Sequence, residues 1–254
     1  MHKYFEINKQ GHNIRCKLYS SGKAPAAKAV IYCTGFAGHK DNAACEGFAE
    51  KLLSKHKDAC VVVFNWPAHG DDVKKKPSVE DCMTYLELVI GEIREAFGIA
   101  RLYAYATSFG GYILLKYISE RNDPFLRIAL RCPVINMYDV FTSTITGKEE
   151  LERIMKGKDV SVGFDRKITV SRDFLDEMKE GDIRSRDFLD YAESILILHG
   201  TEDEIVPCED SRSFADDNLI EFIPVEGADH RFHNPVHMSL ATKYVMEFFD
   251  LSAE

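Results

Sequence analysis

The sequence predicts an α/β fold with a mostly parallel central sheet flanked by helices. Apolar runs of strand length alternate with amphipathic stretches of helix length, which is the pattern of βαβ construction. The length of 254 residues, 45% hydrophobic and 29% charged, suits one large core rather than several small ones.

The elements follow in order. Residues 3–8 and 13–19 alternate weakly around Lys9-Gln10-Gly11-His12 and read as an opening hairpin. Ala29–Cys33 is a buried strand, and Asp41–His56 a helix with Phe48, Leu52 and Leu53 on one face. Cys60–Asn65 is the next strand. Ser78, with Asp81 three residues on, resembles a capping box and opens a long helix. Along it Val79, Met83, Leu86, Ile90, Ile93 and Phe97 recur at helical spacing, as core positions do. Ala100–Ala106 is a strand, Gly110–Glu120 a helix, and Leu126–Leu130, Ser194–His199 and Leu219–Pro224 are strands. Pro235–Leu251 closes the chain as a helix.

The stretch 134–191 breaks this rhythm. It is charge-rich, and its apolar residues are spaced for short helices. Ser-Arg-Asp-Phe-Leu-Asp occurs at 171–176 and again at 185–190, and each copy reads as a helix start with an acidic first turn. The expected organisation is therefore a core of 1–133 and 192–254 with a lid insertion at 134–191.

Composition excludes some classes of function. A net charge of −9 does not suit a nucleic-acid partner, which calls for clustered Lys and Arg. The one basic run, Lys74-Lys75-Lys76, is short and precedes Pro77, as a solvated loop would. No apolar stretch reaches the length of a membrane span or of a signal peptide, which points to the cytoplasm. The seven cysteines are irregularly spaced with no C-x-x-C pair, so buried thiols in a reducing compartment are expected. No His/Asp/Glu cluster has metal-ligand spacing, and no feature demands a cofactor. A homodimer is left open.

The strongest local signal is Ala106-Thr107-Ser108-Phe109-Gly110-Gly111, between a buried strand and an amphipathic helix. A serine on such a sharp turn is strained and exposed at the head of the helix, and its neighbours must be small. A serine hydroxyl needs a base, and the base needs an orienting acid. The order Ser, acid, His is supplied by loops after two later strands. One reads His199-Gly200-Thr201-Glu202-Asp203-Glu204-Ile205-Val206-Pro207, where Asp203 is chosen over Glu202 and Glu204 from the pattern H-G-x-x-D-x-x-V-P. The other reads Glu226-Gly227-Ala228-Asp229-His230, where His230 is chosen over His233 and His237. Backbone N–H groups of Phe109 and Phe36 are the expected oxyanion donors, Phe36 lying in Thr34-Gly35-Phe36-Ala37-Gly38-His39-Lys40-Asp41.

With these residues in view, nearly the whole chain resembles the α/β-hydrolase family. It looks most like small bacterial cinnamoyl and feruloyl esterases and somewhat like monoacylglycerol lipases. Gly35–Asp41 is similar to their oxyanion loop, and Asn65-Trp66-Pro67-Ala68-His69-Gly70-Asp71 to their turn after the next strand. Thr34 stands where relatives commonly have His, and Ala106 where the elbow has Gly. The resemblance implies an acyl-enzyme hydrolysis of a small or medium acyl ester, with hydroxycinnamates among the candidates. Monoacylglycerol-lipase-like and aminopeptidase-like hydrolysis, acyl transfer, and a catalytically silent binding protein are its alternatives. It also places Tyr138 and Asp139 where lid residues meet the acyl group.

Overall fold

The computed structural model describes residues 1–23 and 25–252. The chain opens with β1 (His2–Lys9) and β2 (His12–Ser20), an antiparallel hairpin closed by Gln10 and Gly11. Both turn residues have positive φ (51° and 76°), the backbone that matches the twist of two-residue hairpins. There follow β3 (Lys28–Cys33), α1 (Ala43–Lys55), β4 (Ala59–Phe64), α2 (Val79–Glu95), β5 (Arg101–Thr107), α3 (Phe109–Glu120) and β6 (Phe125–Arg131). Residues 134–191 then hold α4 (Met137–Val140), a π-turn over Phe141–Ile145, α5 (Lys148–Met155), β7 (Val160–Val162), β8 (Ile168–Val170) and α6 (Arg172–Glu180). The chain finishes with β9 (Ile195–Gly200), α7 (Cys208–Asp217), β10 (Glu221–Val225) and α8 (Pro235–Phe249).

Eight strands form one sheet in the order β1-β2-β4-β3-β5-β6-β9-β10. In this sheet the β1–β2 and β2–β4 pairs are antiparallel, and the run β4-β3-β5-β6-β9-β10 pairs in parallel. Alternate residues of the inner strands feed two cores. Ile31, Val62, Ala104, Leu130 and Ile197 face α2 and α3. Val30, Tyr32, Val61, Val63, Tyr105 and Leu198 face α1 and α8. Burial on both faces is why these strands read as continuous apolar runs.

Helix boundaries follow their caps. The Ser78 side chain accepts from the Asp81 amide at the head of α2. In α1 the cap is Asn42, whose side chain accepts from the Cys45 amide, so the helix opens two residues after Asp41. Three features of the later chain differ from expectation. Residues 134–191 contain the β7–β8 hairpin as well as helices. Helix α7 occupies a stretch that the apolar pattern did not mark as a helix. Only the first copy of the repeated hexapeptide starts an α-helix, with Ser171 at the N-cap of α6. In the second copy the Asp187 carboxylate accepts from the Leu189 amide, closing a turn that leads into a 3₁₀ segment, Leu189–Ser194.

All seven cysteines are free thiols, six of them buried. Among the described residues no helix is long and apolar enough to cross a membrane.

Candidate active site

The loops that carry the singled-out residues all leave the carboxyl ends of parallel strands: β3, β5, β9 and β10. Open α/β sheets bind ligands at this edge. Ser108 sits between β5 and α3 with φ 53° and ψ −121°, a conformation non-glycine residues avoid. Backbone bonds hold it there. The Ser108 amide donates to the Arg131 carbonyl (3.1 Å), and the Ser108 carbonyl accepts from Gly111 (2.9 Å) and Val134 (3.3 Å). A Cβ on Gly110 would lie 2.5 Å from the Cys33 carbonyl oxygen and 2.6 Å from that of Thr34. Glycine there lets α3 approach the end of β3, and this approach presents Ser108 to the loop that carries Phe36. Ala106 is fully buried inside β5, where its methyl is accommodated.

The structure brings Ser108, His230 and Asp203 into one chain of hydrogen bonds. His230 Nε2 lies 3.0 Å from Ser108 Oγ, and His230 Nδ1 lies 2.7 Å from Asp203 Oδ2. The Asp203 side chain is fully buried, and four donors answer it. Its Oδ1 accepts from the amides of Ile205 (2.9 Å) and Val206 (2.8 Å), while Oδ2 meets His230 and also His199 Nε2 at 3.0 Å. Burial alone would raise this carboxyl's pKa. The hydrogen bonds from His199 and His230 outweigh it and hold the group well below the usual carboxylate range. Asp203 is therefore an anion wherever the fold persists near neutrality. The imidazole bonded to it is steered to present its other nitrogen to the serine.

His199 was not singled out in the sequence. It is fully buried, and its Nε2 faces two acceptors, Asp203 Oδ2 and the Val206 carbonyl (3.1 Å), so that nitrogen carries the proton. Its Nδ1 meets Ser211 Oγ at 2.9 Å. The only sequence signal was a histidine four residues before the chosen acid, at the end of an apolar strand. The competing residues are engaged elsewhere. His233 pairs with Asp229 at the surface, His237 lies in the first turn of α8, and the Glu204 carboxylate accepts from the His230 amide (3.3 Å).

Phe109 opens α3, so its amide is one of the first-turn N–H groups with no carbonyl one turn back. The loop with Phe36 touches the serine: a Cβ on Gly35 would stand 3.2 Å from Ser108 Cβ. That loop is pinned by a Gly38–Gly35 backbone bond (3.0 Å) and by the Trp66 indole donating to the Thr34 carbonyl (2.7 Å). The Phe36 ring packs edge-on against Phe109 (5.9 Å) and against Phe141 (5.1 Å).

Ser108 and His230 open into a cavity of about 650 Å³. Its walls come from the Phe36 loop, the head of α1, Arg131, Ile145, the 164–166 turn and Arg231. Tyr138 and Asp139 are not among the lining residues. Asp139 is exposed and pairs with Arg184 (3.6 Å), and Tyr138 lies under Lys179. They sit on the short helix α4, and the wall that reaches the cavity is the following residue run ending at Ile145.

Among the described residues, one set could in principle gather a cation: Cys132, Asp203 and His230, with ligand atoms within 4.8 Å. The donor set fits a metal poorly. The aspartate and histidine already spend those atoms on each other, and burial keeps the Cys132 thiol protonated.

Comparison with known proteins agrees with this architecture. The family model of the alpha/beta hydrolase fold matches residues 28–158, just over half of the chain. No curated protein matches the sequence. Among solved structures, Est1E from Butyrivibrio proteoclasticus with bound ferulic acid is similar at TM-score 0.76. It is 18% identical, and the match covers 96% of this chain and 97% of that one. The monoacylglycerol lipase of Paleococcus ferrophilus is similar at TM-score 0.65, with 20% identity over 97% of this chain and 98% of that one. Mouse alpha/beta hydrolase domain-containing protein 10 reaches 0.72, with 15% identity over 99% and 100%. At these identities the likeness is one of fold. The family match, the sheet order and the strand-to-helix turn at Ser108 together make this chain a member of the α/β-hydrolase fold family.

Proposed function

We propose that this protein is a serine carboxylesterase acting on small or medium acyl esters, hydroxycinnamoyl esters among them, through an acyl-enzyme. The observation that carries the reading is the unbroken chain Ser108–His230–Asp203 beneath an open cavity. In this reading Ser108 Oγ attacks the ester carbonyl as His230 Nε2 takes its proton. The proton then passes to the departing alcohol, and water, activated by the same imidazole, releases the acid. Asp203 fixes the ring and stabilises its charge. The amides of Phe36 and Phe109 hold the oxyanion, each lowering the barrier by about 3 kcal/mol.

Residues 134–191 act as the lid in this reading, since Ile145 and the 164–166 turn border the cavity. The rings of Phe36, Phe109, Phe141 and Phe174 fill the space beside the serine, which favours a compact acyl group. The buried free thiols suit a reducing compartment, and a cytoplasmic location belongs to the same proposal.

The test is hydrolysis of p-nitrophenyl and hydroxycinnamoyl methyl esters by wild type and Ser108→Ala. Turnover lost in the variant supports the reading. A well-folded wild type with no turnover on any ester, or a variant as active as wild type, overturns it.

A further inference from the structure

Among the described residues, one cation beside the serine has no counterion. Arg131 ends β6, is 7% exposed, and lines the same cavity as Ser108. Buried guanidinium groups are normally matched by carboxylates, because an uncompensated charge is expensive to take out of water. Among the described residues Arg131 forms no ion pair. Its Nη1 contacts Met238 Sδ (3.0 Å), its guanidinium carbon lies 5.2 Å from the Phe232 ring centre, and its Nε has no hydrogen-bond partner. The phenols of Tyr32 and Tyr105 also lie close to it. Burial holds both neutral, so neither balances the charge.

A second element faces the same space. Asn42, Ala43 and Ala44 form the head of the thirteen-residue α1 and line the cavity. The Asn42 side chain is committed to the Cys45 amide. In a helix, the amides of Ala43 and Ala44 have no carbonyl one turn back, and two methyl side chains leave them open to a ligand. The rest of the rim is also basic. Arg166 and Arg231 line it, against one acid, Asp165, which pairs with Arg231. Three arginines and one aspartate wall this cavity in a chain whose net charge is −9. The positive field is therefore local to the site.

We propose that Arg131 and the head of α1 form an anion subsite, and that the substrate is an ester bearing a second, charged oxyanion group. A carboxylate or a phosphate has the required chemistry: planar or tetrahedral oxygens for the guanidinium, and negative charge for the helix terminus. The inference rests on the serine-esterase reading for its reaction and on Arg131 and α1 for its specificity.

The experiment compares kcat/KM for monomethyl glutarate and monomethyl adipate with neutral methyl esters of equal chain length, and for the matching phosphono-esters. Wild type is set beside Arg131→Met and Arg131→Lys. Wild type is expected to prefer a charged ester by about tenfold or more, as one charge-assisted contact allows. The preference should shrink as salt rises, fall towards unity in Arg131→Met, and be partly retained in Arg131→Lys. Whether the carboxylates or the phosphono-esters gain more identifies the anion.

Free glutarate and inorganic phosphate are titrated in parallel against wild type, read by thermal shift and by competition with a neutral p-nitrophenyl ester. This arm needs no folded variant and no turnover of the charged esters. Neutral esters cleaved without any charged preference, and no binding of either anion, would overturn the subsite while leaving the esterase reading intact. Anion binding without turnover of any ester would support the subsite and overturn the esterase reading.

Discussion

Ser108→Ala removes the hydroxyl that His230 Nε2 meets at 3.0 Å, and kcat is expected to fall by roughly 10⁶. Asp203→Asn keeps the shape but turns the imidazole towards the wrong tautomer, with an expected loss of roughly 10⁴. Circular dichroism of each variant separates lost chemistry from lost fold. His199 is a positioning residue, because it touches Asp203 and not the reacting atoms. His199→Phe removes one of the four donors on a buried carboxylate. A kcat lower by about tenfold or more with little change in KM is expected. With that donor gone, burial pushes the Asp203 carboxyl back up, so the acid limb of the pH–rate profile should move to higher pH. An unchanged profile would reduce His199 to packing. The sequence was enough to point to Ser108, Asp203 and His230 because each closes a short pattern just past an apolar strand. It was not enough for His199 or Arg131. Both sit at strand ends: His199 reads there as one more residue of an apolar strand, and the neighbours of Arg131, Met238 and Phe232, are distant in the chain.

At the scale of the element, what matters is how closely α3 approaches β3. Gly110→Ala would drive a methyl into the Cys33 and Thr34 carbonyls, which are backbone and cannot swing aside. A loss of about 2 kcal/mol of stability is expected, with activity falling further, since the same shift moves Ser108 from the Phe36 loop. Urea unfolding beside esterase assays measures both. Gly91 is the control: nothing lies within 4 Å of a Cβ there, so Gly91→Ala should be neutral or stabilising, as for a glycine inside a helix. The inner strands and the long helices were legible because burial on both faces or one face writes a simple period. The β7–β8 hairpin was not, since its strands are three residues each and carry little pattern. Helix α7 was also missed. Cys208–Asp217 is mostly polar, and only Ser211, Phe214 and Ala215 are buried. The second hexapeptide shows the limit of local motifs, as the same six residues start a helix once and a tight turn once.

At the scale of the whole molecule, His69 links folding to pH. It is fully buried, its Nδ1 donates to the Pro67 carbonyl (2.8 Å), and its ring stacks over Phe109. Burial depresses its pKa to about 4, only partly offset by the Pro67 carbonyl. The folded state then refuses a proton that the unfolded chain binds near pH 6.5. The stability this neutral imidazole supplies is present above that pH and is lost as pH falls from about 6.5 towards 4. Between pH 7 and pH 5 the loss is expected to be about 2 kcal/mol, and His69→Phe should remove most of that difference. Denaturant unfolding at the two pH values reads it; equal slopes in both proteins would assign the acid sensitivity elsewhere.

The central claim is that one serine is poised for attack by the fold around it. The most direct measurement is labelling of the native protein with a neutral fluorophosphonate, followed by mapping of the adduct by mass spectrometry. A single phosphonylated serine at position 108, formed by wild type and absent from Ser108→Ala, is the predicted result. A folded wild type that takes no label, or one whose adduct lies on another residue and persists in Ser108→Ala, would contradict it.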